Sequence, residues 1–361
     1  MKIAHLADSM EIGGAERLIH QLCRWQRQQG HDPSVHCLYR VGPLGEELRA
    51  DGFEVVLHNS SAVGGRAGSV YRGLKQSRPH VVHCHNAAAA VVGAIPARVA
   101  GARSIVVTRH GGVAPPYILR RELKFALSAR WCDWIVAVCE QARVNLMAAP
   151  FAARRKIVRI YNAVGALPGN GASPPAKSGF TLLHVARLNP AKDQVTLLRA
   201  FGLARARIPD LQLWIVGGGN LRPKLEGLAR DMGINGSITF FGEQSDVAPF
   251  YAAADLFVLS SVSEGVPLSL LEALAAGLPA AVTEVGGMGE VASLSDATIT
   301  TPPSNPEALA GAIIKRAQSP CELPRLRALA RQTYLSHFTL DRMATEYMAL
   351  YNNSHHPNRA A

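Results

Sequence analysis

The sequence contains no CxxC pair. Its six cysteines stand singly at positions 23, 37, 84, 132, 139 and 321. A zinc ribbon and a thioredoxin-like motif are therefore excluded, and this cysteine usage points to a reducing cytosol. No apolar run of about 18 residues occurs, so no membrane-spanning helix is expected. The opening Met1-Lys2-Ile3-Ala4-His5 runs straight into a strand pattern, so no signal peptide is expected either. Aromatic residues are few, at 6%, and no RNP, KH or zinc-finger pattern is present. A nucleic-acid binder, the partner that a basic chain first suggests, thus lacks its stacking platforms, and no nucleic acid is expected. The dinucleotide fingerprint GxGxxG is missing as well, so no nicotinamide cofactor is implied.

What is present is an ordinary globular composition over 361 residues, with 48% hydrophobic and 18% charged residues. That length suggests about two domains, each able to bury a full core without a disulfide or metal staple. The net charge of +11 is unevenly placed. Residues 1–165 carry 22 Lys and Arg against 11 Asp and Glu, whereas residues 166–361 carry 16 against 16. A basic half beside a neutral half implies two domains with different partners.

Short β-rich runs recur at 3–7, 81–84, 104–108, 134–138 and 157–161, and again at 181–186, 211–216, 238–241, 256–259 and 279–282. Helix-like segments lie between them. The runs are apolar on both sides, as parallel strands covered on two faces must be. Alternating strand and helix predicts open parallel sheets with helices on both faces. Residues 167–179 are rich in Gly, Pro and Ser and lack periodicity, which reads as a linker. The expected division is an N-terminal domain over 1–166, the linker over 167–179, a C-terminal domain over 180–337, and a terminal helix with a frayed tail over 338–361. Doubly wound sheets bind ligands at the carboxyl ends of their strands.

Several strand ends carry chemistry. Gly13-Gly14-Ala15-Glu16 opens a helix after the first strand, where backbone N–H groups can approach an anion. Gly217-Gly218-Gly219 follows another strand and reads either as a close strand–helix turn or as a backbone contact with a nucleotide. Val82-His83-Cys84-His85-Asn86 offers two histidines, but no further ligand at zinc spacing, so hydrogen bonding is the default for His83 and no metal is expected. His110, in Thr108-Arg109-His110-Gly111-Gly112, places an imidazole at a strand end, within reach of a ligand hydroxyl. Arg187 and Lys192 stand five residues apart across a turn, a spacing able to clamp a diphosphate. Glu264 and Glu272, with seven residues between them, can each accept bonds from a pair of sugar hydroxyls. The N–H groups between them, at the start of the following helix, suit phosphate, and the backbone of Gly265, Val266, Pro267 and Leu268 forms that helix start, where Gly265 and Pro267 fix a tight loop. Thr283-Glu284-Val285-Gly286-Gly287-Met288-Gly289-Glu290 is a further junction of strand, glycine pair and helix.

Taken together, Glu264 to Glu272 with Gly265, Pro267, Leu268, Gly277 and Pro279 resemble the E-x7-E signature of group 1 (family 4) retaining glycosyltransferases. Gly13-Gly14, the segment around His110, Arg187 with Lys192, and Gly286-Gly287 with Glu290 follow in that family's order. The resemblance spans nearly the whole chain. It implies the GT-B fold, an α/β architecture of two Rossmann-like parallel-sheet domains facing a cleft. It departs at Tyr161-Asn162-Ala163-Val164-Gly165, where such enzymes often have Asn-Gly-Val-Asp, and at Met288-Gly289, which replaces a common Val-Pro.

The resemblance further implies that Gly13 and Gly14 approach the donor diphosphate and that Arg187 and Lys192 neutralise the leaving nucleoside diphosphate. Glu264 with the backbone of Gly265–Leu268 would hold the donor sugar and its phosphate, Glu272 the ribose hydroxyls, and His110 the transferred sugar. His110, Arg187, Lys192 and Glu264 are thus the candidate catalytic residues. The implied reaction moves a hexose from a nucleotide sugar, with a UDP-sugar as first candidate and GDP-mannose as second, and needs no cofactor and no metal. The implied product is cell-surface polysaccharide. Arg72 and Lys75, with Arg120, Arg121 and Lys124 on a basic amphipathic helix, are the candidate contacts for a lipid-linked glycan acceptor at the cytoplasmic membrane surface. A sugar-nucleotide epimerase of the same architecture is the alternative.

Overall fold

The structure is a computed structural model that describes residues 1–60, 63–111, 118–166 and 175–352. The chain divides into two units. The first comprises Met1–Gly165 together with the terminal segment from Leu340, and the second is Ala166–Thr339.

The first unit alternates β1 (Lys2–Ser9), α1 (Gly14–Gln28), β2 (Asp32–Arg40), α2 (Gly42–Ala50), β3 (Glu54–Leu57), α3 (Val63–Ser77), β4 (Val81–His85), α4 (Asn86–Val99), β5 (Ser104–Arg109), α5 (Leu119–Ala129), β6 (Trp134–Ala137), α6 (Glu140–Ala148) and β7 (Ile157–Arg159). Its sheet is parallel and runs β3-β2-β1-β4-β5-β6-β7, so the order reverses between β1 and β4. Every residue of β4 and β5 is buried, which is why these strands read as continuous apolar runs despite their histidines.

The second unit alternates β8 (Thr181–Val185), α7 (Gln194–Arg205), β9 (Gln212–Val216), α8 (Arg222–Asp231), β10 (Ile238–Gly242), α9 (Ala248–Ala253), β11 (Leu256–Leu259), α10 (Leu268–Ala275), β12 (Ala280–Thr283), α11 (Met288–Ala292), β13 (Thr298–Thr301), α12 (Pro306–Ala317) and α13 (Leu323–His337). The sheet order β10-β9-β8-β11-β12-β13 reverses between β8 and β11. Leu182, Leu213, Ile215 and Val258 of the sheet pack with Leu197, Phe201, Leu225 and Ile313 of its helices in a fully buried core. The last helix, α14 (Leu340–Asn352), belongs to the first unit and packs on α1, with Trp25 Nε1 donating to Asp341 Oδ1 at 2.7 Å.

Three strands lie outside the runs picked from the sequence. β2 begins Asp-Pro and carries Ser34 and His36 inside, β3 has only four residues, and β13 is Thr-Ile-Thr-Thr. β3 and β13 are edge strands, which need less apolar surface than central ones. The predicted linker is shorter at its C-terminal end. Lys177 Nζ ion-pairs with Asp255 Oδ1 at 2.7 Å, and a side chain on Gly179 would meet the Asp210 carbonyl, so 177–179 are already part of the second unit. Residues 167–174 of that linker and the tail beyond Asn352 lie outside the described residues.

Candidate active site

In the second unit the two strands flanking the reversal, β8 and β11, end in loops that are bound to each other. A 3-10 turn over Pro190–Lys192 leads to Asp193, whose backbone is left-handed at φ +44°. That conformation is unfavourable for a non-glycine residue. It is held because the Asp193 carboxylate caps α7, accepting from Thr196 N at 3.3 Å and Thr196 Oγ1 at 2.7 Å. Ser260 Oγ, just beyond β11, donates to the carbonyls of Lys192 and Asp193, each at 2.9 Å. Val262 N donates to Ala191 O at 2.9 Å.

The anchoring sets Lys192 against Glu264. Lys192 Nζ ion-pairs with Glu264 Oε1, and Ser261 Oγ donates to the same oxygen at 2.7 Å. The two side chains are only 20% and 11% exposed, so the pair is shielded rather than a loose surface contact. Arg187, at the end of β8, is exposed. Glu264 is followed by Gly265, and the loop after β12 rests on both. Gly287 N donates to Gly265 O at 2.7 Å, while Gly286 sits at φ +55° with its Cα so near the Glu264 carbonyl that a Cβ would lie 2.0 Å from it. Only glycine fits there.

Buried Pro267 is the N-cap of α10 and offers no side-chain cap, and the first turn carries no acidic residue. Backbone N–H groups and the positive end of the helix are thus left for an anion. Val266 is 2% exposed, which fixes the loop from below. Glu272 lies on the buried face of α10 and accepts from Tyr251 OH at 2.9 Å. Gly217 and Gly219 have positive φ, and side chains there would strike the carbonyls of Ala186 and Leu188. Of the two readings of that glycine run, the structure provides the close turn.

In the first unit the corresponding reversal carries histidines. Gly13 caps α1 with an extended backbone and no side chain, and Gly14 opens its first turn, which also carries Glu16. His5 lies within β1, His83 within β4, His85 at the end of β4 and His110 just beyond β5. His5 Nε2 bonds Gln26 Oε1 at 2.8 Å and His5 Nδ1 meets His85 Nε2 at 3.1 Å. His85 Nδ1 meets His110 Nε2 at 2.9 Å. His83 Nδ1 bonds Tyr351 OH at 2.6 Å and its Nε2 bonds Thr108 Oγ1 at 2.8 Å, which also meets Tyr347 OH at 3.0 Å.

Burial holds these rings neutral. It pushes His5 and His110 down to about 4, and His83 and His85 well below the ordinary histidine value. His5 supplies the third member that sequence spacing missed, since donor atoms of His5, His83 and His85 lie within 4.8 Å of one another. Yet every ring nitrogen of this trio already has a hydrogen-bond partner, so the donor set fits a hydrogen-bond network rather than a cation.

Three further residues stand at this end without a signal in the local sequence. Asn86 adopts φ +71° and its Oδ1 accepts from His110 N at 3.1 Å, which fixes the backbone beside the imidazole. Arg109 is buried, pairs with Glu122 on α5 at 3.6 Å and lies over the Phe125 ring at 4.5 Å. Asp8, near the end of β1, has a pKa raised by burial and opposed by Arg121. Its Oδ1 is buried with no hydrogen-bond partner among the described residues.

The basic helix α5 buries Glu122, Phe125, Ser128 and Ala129. Arg120, Arg121 and Lys124 are exposed, and so are Leu119 (58%), Leu123 (43%), Leu127 (51%) and Trp131 (44%). Leu119, Leu123 and Leu127 recur every fourth position of α5 and make one stripe, and Trp131 follows just beyond the end of the helix. Arg72 and Lys75 are exposed on α3, which packs against α4, which in turn packs against α5. No helix of the described residues is long and apolar enough to cross a membrane.

Comparison with known proteins agrees with this architecture. Residues 12–165 match the family model "Glycosyltransferase Family 4" and residues 171–333 match "Glycosyl transferases group 1". The chain is 27% identical over 317 residues to the UDP-Gal:alpha-D-GlcNAc-diphosphoundecaprenol alpha-1,3-galactosyltransferase of Escherichia coli, covering 80% of each chain. A shorter stretch of 84 residues is 43% identical to the lipopolysaccharide core biosynthesis glycosyltransferase LpsE of Rhizobium meliloti, covering 23% of this chain and 25% of that one. Among solved structures, HepE of Anabaena in complex with UDP superposes with a TM-score of 0.85 at 19% identity, over 98% of this chain and 100% of that one. The same protein is also known in complex with UDP-glucose. The epimerase alternative finds no support in these matches. Two parallel-sheet units of this order, matched along their length by both family models, make the chain a GT-B-fold member of the group 1, family 4 glycosyltransferases.

Proposed function

We propose that the chain transfers a hexose from a UDP-sugar to a lipid-linked glycan during the synthesis of cell-surface polysaccharide, with retention of anomeric configuration. GDP-mannose is the second donor candidate. The observation that carries this reading is the Lys192–Glu264 pair set beside the uncapped N-terminus of α10 at the β8/β11 reversal. The bound UDP and UDP-glucose of HepE and the UDP-Gal donor and diphosphoundecaprenol acceptor in the name of the Escherichia coli relative support it.

The chemistry follows from charge. Breaking the bond between the anomeric carbon and the diphosphate oxygen leaves both electrons on that oxygen and positive character on the sugar. Arg187, Lys192 and the N–H groups from Gly265 to Leu268, Pro267 excepted, are the groups to stabilise the departing diphosphate. Glu264 holds Lys192 in place and offers its second oxygen to the sugar hydroxyls. The acceptor hydroxyl attacks the face that the diphosphate leaves, and its proton passes to the departing phosphate oxygen. No divalent metal is required by this scheme. Glu272 serves the ribose hydroxyls, and His110 a hydroxyl of the transferred sugar. The stripe Leu119, Leu123 and Leu127, with Trp131 beyond the helix end and Arg120, Arg121 and Lys124 beside it, lays α5 on the anionic inner leaflet, with Arg72 and Lys75 adding charge from α3.

A thermal-shift series with UDP, GDP, ADP and their sugars tests the donor site. One nucleotide class is expected to raise the Tm of the wild type, and to raise it less in Glu272→Ala. Stabilisation by none of them, or an equal shift in both proteins, contradicts the assignment.

A further inference from the structure

The row Gln26–His5–His85–His110 has a direction. A neutral imidazole has one N–H and one lone pair, so in a chain of rings each bond fixes the next. The Gln26 carbonyl oxygen accepts only, and His5 Nε2 lies 2.8 Å from it. The proton of His5 therefore sits on Nε2, and its Nδ1 is an acceptor. That acceptor faces His85 Nε2 at 3.1 Å, so His85 carries its proton there and accepts at Nδ1. His85 Nδ1 faces His110 Nε2 at 2.9 Å, so His110 is the Nε2–H form. The end of the row is the lone pair of His110 Nδ1, which is buried and has no hydrogen-bond partner among the described residues.

The Gln26 amide nitrogen is buried with no hydrogen-bond partner among the described residues, so the amide is placed by the bond of its carbonyl to His5. Beside the row, His83 Nδ1 meets the Tyr351 hydroxyl at 2.6 Å and its Nε2 meets Thr108 Oγ1 at 2.8 Å. Burial removes the charged alternatives, because His5, His85 and His110 are all held neutral at pH 7. Asn86 fixes the backbone of His110 independently of the row.

We propose that Gln26, His5 and His85 are positioning residues that lock His110 in one tautomer, so that Nδ1 is an obligate acceptor for a sugar hydroxyl. The tautomer lock stands on unit geometry alone; its use in transfer rests on the proposed function. A buried acceptor without a donor is costly, and a hydroxyl donor relieves that cost, whereas a group offering only lone pairs is refused. The row thus selects for a hydroxyl at that point of the sugar over an ether or a keto oxygen.

Nitrogen-15 NMR of histidine-labelled wild-type protein at pH 7 reads the lock directly, with His110→Asn used to assign the signal. The expected spectrum shows His110 protonated at Nε2 and bare at Nδ1, with the same form at His85 and His5. A proton on His110 Nδ1 overturns the proposal. A second arm uses Gln26→Met, which keeps the size and removes the acceptor. There the His110 signal is expected to move to a mixture of tautomers, and kcat to fall about tenfold, the loss of one hydrogen bond, with the affinity for UDP unchanged. A folded Gln26→Met protein with unaltered His110 tautomer, or with unaltered kcat despite a mixture, overturns the lock or its use respectively. Absence of any sugar transfer by the wild type is a failure of the proposed function, and leaves the NMR arm to decide the lock.

Discussion

The two units share a scaffold and differ in how they handle polar groups at its functional end. Both sheets are parallel and reverse their order beside the first strand of the unit. In the second unit the loops at the reversal keep charges, Lys192 and Glu264, and shield them by pairing. In the first unit β1, β4 and the segment just beyond β5 carry imidazoles whose pKa values burial lowers, so that they stay neutral. On the proposed function, pairing keeps charge available for a leaving diphosphate, and burial removes it where sugar hydroxyls are to be met. Net charge is distributed the other way round, since the excess of Lys and Arg lies wholly in residues 1–165 and its members on α3 and α5 face outward.

The strongest test of this contrast removes the paired cation. Lys192→Ala is expected to lower kcat by roughly 10²–10³-fold, the size of effect seen when one stabilising group is taken from a developing anion. Lys224→Ala, an exposed cation on α8, is the control and should leave kcat unchanged. Similar losses in both would mean that Lys192 acts only through general charge.

A smaller effect is expected from the outward charges of the first unit. At about 1 kcal/mol for each basic residue near an anionic surface, replacing Arg120, Arg121 and Lys124 together by Ala should weaken binding to anionic vesicles roughly 100-fold. Leu123→Asp should weaken it without altering net positive charge by more than one unit. Vesicle flotation in which the wild type fails to bind anionic membranes removes the membrane role of α5.

The third test uses acid. The folded-state pKa values of eight histidines in the first unit are lowered, against His184 alone in the second. A histidine held below its unfolded value contributes stability that is full above about pH 6.5 and is lost as pH falls towards the folded value, because the unfolded chain binds the proton first. Asp8, raised by burial, acts in the opposite sense. Acidification from pH 6.5 to 5 should therefore cost the first unit much more than the second. Amide hydrogen exchange resolved by peptide reads each separately, and equal loss of protection in the two would contradict the contrast.

The same contrast explains what was legible in the sequence. The loop between β11 and α10 could be read because its parts are close along the chain. Glu264, Pro267 and Glu272 fall within nine residues, and the helix start between them is local. The histidine row could not, because its bonds join residues 21, 80 and 25 positions apart. His5 lies within an apolar strand and gives no local signal of its own. Only the register of β1 beside β4, which sets His5 opposite His83, brings it there. Central strands such as β5 and β11 were visible from unbroken apolar runs. β13 was not, because four residues with three threonines carry too little apolar pattern to stand out.

The central claim is that the chain carries out retaining hexose transfer from a nucleotide sugar. It is tested most directly by incubating the wild-type protein with UDP-hexoses and GDP-mannose, each with a polyprenyl-diphosphate-linked glycan, and reading the product's anomeric configuration by proton NMR. One α-linked donor is predicted to give an α-linked glycolipid, and Lys192→Ala almost none. A β-linked product, or no glycolipid from any donor in the panel, would contradict the account.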